Sequence, residues 1–182
     1  MAESKQTRQL DTNKPKYFYS QENSNRQCVM HALNNLLQRN DNNRITCTIF
    51  KTIVEELKKK YPYPFRKIIA SFLYTPTSPD ECGCDEESWS FSVALKYLDD
   101  NNLKYELCNL DHYQDGKAFQ KGRFLLYVKL IKHEKSNHAI CILHGWLLDS
   151  LNKDGAKKIL PGTFEKNFGE QYHIEKMWML LG

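Results

Sequence analysis

The sequence lacks several features that would assign it to a special class of protein. Its 182 residues contain no apolar run that approaches a membrane span, and its first sixteen residues lack the apolar core of a secretory signal. The formal net charge is only +4, and lysines interspersed with acids are typical of a solvated surface. There is no internal repeat. We therefore expect an intracellular monomer, cytoplasmic or nuclear, that binds neither membranes nor nucleic acid.

A disulfide framework and a metal site are also disfavoured. The chain has the length of one domain and can bury roughly 70% of its unfolded surface, so its six cysteines are expected to be reduced thiols. Cys82-Gly83-Cys84 is spaced like a pair of zinc ligands, but no second close pair completes four ligands. We predict no metal and no cofactor.

Residues 1–16 are predicted to form a mobile arm before a domain over 17–182.

Apolar periodicity predicts helices in the first half of the chain and strands in the second. One helix begins at Cys28, another runs from Thr48 to Tyr61, and a third runs from Ser88 or Ser90 to Asn101. Segment 62–87 shows no readable period. The predicted strands cover 103–107, 123–128, 138–143, 146–149 and 174–181. This order predicts an α+β fold with helices against an antiparallel sheet.

Cys28 stands where a polar stretch, 21–27, turns into an amphipathic helix. Backbone N–H groups and the dipole at a helix start lower the pKa of a thiol and can hold an oxyanion. A lone cysteine is more often inert and buried. Two distant residues favour a nucleophile here: His138, at the start of an apolar strand, as general base, and Asp149, after a tight turn, as the group that orients it.

Other residues compete for two of these roles. His31 lies one helical turn beyond Cys28, but a base on the same helix would leave no cleft for substrate between them. Gln21 could fold back beside the Cys28 N–H as an oxyanion donor, whereas Gln27 would more naturally point away. Either glutamine could instead be a surface residue.

The hairpin after His138 predicts how the histidine meets the acid. If His144-Gly145 is a two-residue turn, Leu143 pairs with Trp146. Asp149 then lies on the same face as His138 and diagonally beside it, with Cβ atoms roughly 7 Å apart.

Three separated stretches of the chain carry a resemblance to one known family. The first is Gln21, followed by C-V-M-H-A-L-N-N-L-L-Q over 28–38. The second is S-W-S-F-S-V-A-L over 88–95 with Y-E-L-C-N over 105–109. The third is H-A-I-C over 138–141 with L-D-S over 148–150.

Together, these stretches resemble the Josephin family of papain-like deubiquitinating cysteine proteases. The resemblance implies a papain-like fold and cleavage of (iso)peptide bonds at the C-terminal glycine of ubiquitin or polyubiquitin. It implies Cys28 as nucleophile, His138 as base, Asp149 as orienting residue and Gln21 as oxyanion donor. The chain departs from the family pattern at Ala139, where tryptophan is usual, and in a hairpin that is four residues shorter. The loop from Gln21 to Cys28 is also two residues longer.

Two alternatives stay open at this point. The chemistry could serve another Gly-Gly substrate, as in bacteriocin-processing peptidases, although the Leu-Asn-Asn-Leu helix argues against this. The chain could also be a non-catalytic ubiquitin-binding module, although the intact triad argues against a loss of catalytic activity.

For cleavage after Gly-Gly, segment 62–87 is expected to form a flexible cover over a narrow groove.

Overall fold

The computed structural model describes residues 13–20, 28–60, 90–113, 116–132 and 137–182. Within these ranges the chain is α+β, as predicted, with four α-helices and one six-stranded antiparallel sheet. Among the described helices, none combines the length and apolarity needed to cross a bilayer. The helices are α1 (Cys28–Leu36), α2 (Cys47–Lys60), α3 (Ser90–Asp100) and α4 (Phe164–Phe168). The strands are β1 (Tyr105–Leu107), β2 (Arg123–Leu130), β3 (Asn137–Leu143), β4 (Trp146–Leu148), β5 (Lys157–Lys158) and β6 (Tyr172–Leu180).

The sheet has the order β1-β6-β2-β3-β4-β5, so the last long strand, β6, inserts between β1 and β2. Side chains alternate between the two faces of a strand, and both faces of β2 and β3 are covered. One face packs with α1, α2 and α3, and we call it the helical face; its strand residues include Leu125, Tyr127, Ala139, Cys141 and Leu143. The other packs with α4 and aromatic side chains, and we call it the aromatic face; it includes Phe124, Leu126, Val128, Ile140 and Ile142.

The helices and long strands lie close to their predicted positions, whereas β5 and α4 were not predicted. Strand β4 ends at Leu148, one residue before the predicted end. Strand β5 has only two lysines and therefore no alternation to read. Helix α4 has five residues, too few for a helical period, although Thr163 caps it by accepting a hydrogen bond from the Lys166 N–H at 2.9 Å. Segment 62–87 lies outside the described residues.

Candidate active site

Cys28 is the first residue of α1, as the sequence predicted. The helix packs against β3, and the Cys28 side chain, 5% exposed, lies in the same apolar cluster as Ala139 and Cys141 of that strand. Every residue of α1 except His31 is buried. This burial fixes the helix, and with it the position of its N-terminal N–H groups beside the thiol.

His138 and Asp149 are in direct contact. The Nε2 atom of His138 lies 2.7 Å from Oδ1 of Asp149, and both side chains are buried. His138 is the second residue of β3, and Asp149 follows the last residue of β4. The structure therefore brings together the two residues that the sequence assigned as base and orienting acid.

The predicted hairpin register produces this contact. His144 and Gly145 both have positive φ angles, 47° and 83°, as a two-residue hairpin turn of type I′ requires. Leu143 pairs with Trp146 and Cys141 with Leu148. Continuing this pairing sets Asp149 opposite Ile140 and diagonally beside His138, so the predicted register is confirmed.

Asp149 is held as a carboxylate by three donors. Burial alone would raise the pKa of this carboxyl. The His138 ring, the Tyr172 hydroxyl on Oδ2 at 2.5 Å and the Leu151 N–H on Oδ1 at 2.8 Å more than offset burial, and the pKa lies below its usual value. Asp149 therefore carries a negative charge at neutral pH.

The charge on Asp149 also fixes the tautomer of His138. A carboxylate oxygen only accepts hydrogen bonds, so the ring nitrogen facing it, Nε2, must carry a proton. In the neutral imidazole the other nitrogen, Nδ1, is then unprotonated and able to take a proton. Asp149 thus keeps His138 in the form that a general base needs.

Ala139, the residue after His138 in β3, lies in the apolar cluster that α1 forms with this strand. Alternation from Ile140 puts His138 on the aromatic face, while α1 covers the helical face. His138 is the second residue of β3, and Cys28 lies in the cluster of the helical face together with the next residue of that strand, Ala139. Between the helix and this part of the strand, Ala139 presents only a methyl group and is fully buried. The small side chain at this position permits close packing of α1 on β3.

His31 occupies a different environment from His138. It lines a pocket of about 580 Å³ together with Phe18, Arg44 and the first residues of α2. Burial, and secondly the charge of Arg44, lower the pKa of the ring. Its Nδ1 atom is buried and has no hydrogen-bond partner within the described residues. Among residues 13–20, 28–60, 90–113, 116–132 and 137–182, no acid is found bonded to the His31 ring, in contrast to the pairing of His138 with Asp149.

Three polar side chains of α1 and its C-terminal turn hold neighbouring backbone, a role that the sequence analysis missed. Asn34 donates to the Ile45 carbonyl at 2.9 Å and accepts from the Ile45 N–H at 2.7 Å. Asn35 makes the same pair of bonds with Tyr19, at 3.1 and 2.6 Å. Gln38 accepts from the Lys16 and Tyr17 N–H groups. Both asparagines fall outside the apolar period of α1, so the periodic pattern carried no signal for this role.

Replacement of Asn34 is expected to destabilise the fold. In Asn34→Leu the buried backbone N–H and C=O of Ile45 lose their partners, which should lower the free energy of unfolding by roughly 2–4 kcal/mol. Urea denaturation measures this. In the control Asn42→Ala, on the exposed surface of the same loop, the change should stay within about 0.5 kcal/mol. Equal stability of the two variants would show that these hydrogen bonds contribute nothing net.

Several predicted residues lie outside the part of the chain that the structure describes. These are both candidate oxyanion donors, Gln21 and Gln27, and the Cys82-Gly83-Cys84 pair. Within the described ranges, no group of three or more histidine, cysteine or acidic side chains is arranged to hold a metal ion. Comparison of the chain with models of known protein families, and with curated proteins, gives no match. The function of the site is therefore inferred from its geometry and from the motifs in the sequence.

Proposed function

We propose that this protein is a cysteine-type deubiquitinase that hydrolyses (iso)peptide bonds at the C-terminal glycine of ubiquitin. One observation carries the catalytic part of the proposal: the buried His138–Asp149 contact, on a strand against which the Cys28 helix packs. The ubiquitin part rests on the likeness of 28–38, 88–95 and 138–150 to the Josephin signature. The proposed fold is accordingly papain-like.

The proposed reaction begins with transfer of the Cys28 thiol proton to Nδ1 of His138. The thiolate attacks the carbonyl carbon of the terminal glycine, and N–H groups at the start of α1 stabilise the oxyanion. The resemblance to the Josephin family adds the side chain of Gln21 as a further donor to this oxyanion. The tetrahedral intermediate collapses as the imidazolium gives its proton to the leaving lysine amine, which leaves a thioester on Cys28. Asp149 remains ionised and stabilises the imidazolium.

The second half of the reaction regenerates the thiol. His138 takes a proton from a water molecule, and the resulting hydroxide attacks the thioester carbonyl. The thiolate leaves and is reprotonated by the imidazolium, and ubiquitin departs with a free terminal carboxylate. Each step uses the same Nδ1 atom, so the reaction depends on the tautomer that Asp149 imposes.

A ubiquitin whose C-terminus carries an electrophile tests the proposal. Incubation should give one covalent adduct, which peptide mass spectrometry should locate at Cys28. Ubiquitin without the electrophile is the competitor and should slow labelling. A protein that binds ubiquitin but forms no adduct would be a binding module, and labelling by another Gly-Gly-ended protein but not by ubiquitin would change the substrate. Either result would refute the proposal.

A further inference from the structure

We propose that Tyr172 is a positioning residue that fixes the Asp149 carboxylate for its work on His138, so that the site is a chain of Cys28, His138, Asp149 and Tyr172. This inference rests on the proposed function, because it concerns the same residues. The observation behind it is the 2.5 Å hydrogen bond from the Tyr172 hydroxyl to Oδ2 of Asp149, between two buried side chains.

The bond reaches across the sheet. Tyr172 is the first residue of β6, and Asp149 follows β4, with β2 and β3 between these two strands. In the chain the two residues are 23 positions apart. Tyr172 therefore joins the beginning of β6 to the end of β4 on the aromatic face, where its long side chain spans the gap.

The two oxygens of Asp149 receive different donors. Oδ1 accepts from His138 and from the Leu151 N–H, and Oδ2 accepts from Tyr172. A carboxylate can rotate about its Cβ–Cγ bond, and rotation would carry Oδ1 away from the imidazole. Donors on both oxygens oppose that rotation, because any turn breaks at least one charge-assisted bond. Tyr172 thus fixes the plane in which Asp149 meets His138.

Tyr172 is itself a permanent donor. Its burial, and then the charge of Asp149 and the hydrogen bond, raise the pKa of the phenol far above its ordinary value. The hydroxyl therefore keeps its proton throughout the pH range in which a cysteine protease works. It adds a dipole directed at the carboxylate without adding a charge that would compete with His138.

A row of aromatic rings supports Tyr172. Its ring lies 6.4 Å from that of Phe168, which lies 5.2 Å from Phe164, which in turn lies 5.7 Å from Phe119, all measured between centroids. Phe164 and Phe168 are the first and last residues of α4. This short helix, together with the aromatic face, thereby holds the phenol that orients the acid.

The variant Tyr172→Phe tests the proposal, because it removes the hydroxyl and keeps the ring. We expect the Asp149 pKa, followed by carboxyl ¹³C chemical shifts, to rise by about one unit, the scale of one charge-assisted hydrogen bond. Turnover of a ubiquitin substrate should fall about tenfold in kcat with KM little changed, because the lost interaction acts on the chemical step.

Tyr113→Phe is the matched control. Tyr113 also lies at the aromatic face, where it is partly buried, but its hydroxyl faces the sulfur of Met179 at 4.0 Å. This variant also loses a phenolic oxygen, but at a site that does not contact Asp149. Both the pKa of Asp149 and kcat should therefore equal those of the wild type. An unchanged Asp149 pKa in Tyr172→Phe, or an equal loss of kcat in both variants, would overturn the proposal.

The Asp149→Asn background separates positioning from general stability. With a neutral amide at position 149, the Tyr172→Phe change should lower kcat by less than about twofold, because the two effects are coupled through the carboxylate. If Tyr172→Phe alone misfolds, the double variant should recover folding, since the buried charge is gone. Full and independent losses in the double variant would overturn the positioning role.

Alkylation of Cys28 tests, without ubiquitin, whether Tyr172 acts on Cys28 through Asp149 and His138. The rate of modification of the Cys28 peptide by iodoacetamide, measured against pH, reports the thiolate and imidazolium pair. Tyr172→Phe should shift this profile, and Tyr113→Phe should not. If the wild-type protein cleaves no ubiquitin but the shift is seen, the substrate assignment fails and the role of Tyr172 stands. An identical profile in both variants would refute that role.

Discussion

Replacement of Cys28 by alanine is expected to lower the turnover of a ubiquitin substrate by roughly four orders of magnitude or more, the loss typical of a missing nucleophile. The fold should survive, because a small residue at the first position of a helix is easily replaced and alanine keeps most of the buried contact. Hydrolysis of a fluorogenic ubiquitin amide measures turnover, and calorimetric titration should show nearly unchanged affinity for ubiquitin.

Cys47→Ala is the matched control for this experiment. Cys47 is also the first residue of a helix, α2, but its side chain is exposed, whereas that of Cys28 is buried. The same atoms are removed from an equivalent position, so the activity should remain at the wild-type level. Retained hydrolysis in Cys28→Ala would refute the assignment of the nucleophile. Loss of activity in Cys47→Ala would indicate a second essential thiol.

Cys141 cannot take over from Cys28. Its thiol is fully buried in β3, and burial, together with the nearby charge of Asp149, raises its pKa well above the ordinary value. A thiol that stays protonated and shielded from solvent is a poor nucleophile. Cys141 is therefore not expected to act as a replacement nucleophile in the Cys28→Ala variant.

The parts of the site that the sequence predicted are those set by local patterns. The apolar period placed Cys28 at the beginning of α1, and a two-residue turn at His144-Gly145 fixed the register of β3 and β4. Register in turn fixed the face on which Asp149 meets His138. Each inference needed only residues that are close together in the chain or joined by a tight hairpin.

The parts that the sequence did not predict depend on distant pairing. Tyr172 reaches Asp149 only because β6 inserts between β1 and β2, and no local pattern encodes that order. Gln38 lies after the last residue of α1, yet it contacts the backbone at Tyr17, 21 positions earlier. Polar side chains that satisfy remote backbone groups have no period, so they become visible only in three dimensions.

Replacement of the general base should have the second largest effect. His138→Ala removes the Nδ1 atom that accepts the thiol proton, and turnover should fall by roughly three orders of magnitude or more. It also removes the His138 donor from Oδ1 of Asp149, so the pKa of this carboxyl should rise and the variant should lose stability. His138→Gln offers an amide donor in place of the ring and should recover part of the stability without the activity. Thermal unfolding and steady-state hydrolysis separate the two effects.

The variant His31→Ala distinguishes the two candidates for the general base, His31 and His138. His31 is partly buried beside Arg44 and faces a pocket instead of an acid. Its removal should lower the free energy of unfolding by about 1–2 kcal/mol, as for other partly buried contacts, and leave kcat within about threefold of the wild-type value. The contrast between the variants follows from the orienting carboxylate, since a base without one has no fixed tautomer. A His31→Ala protein that is fully folded but inactive would transfer the role of general base from the strand to the helix.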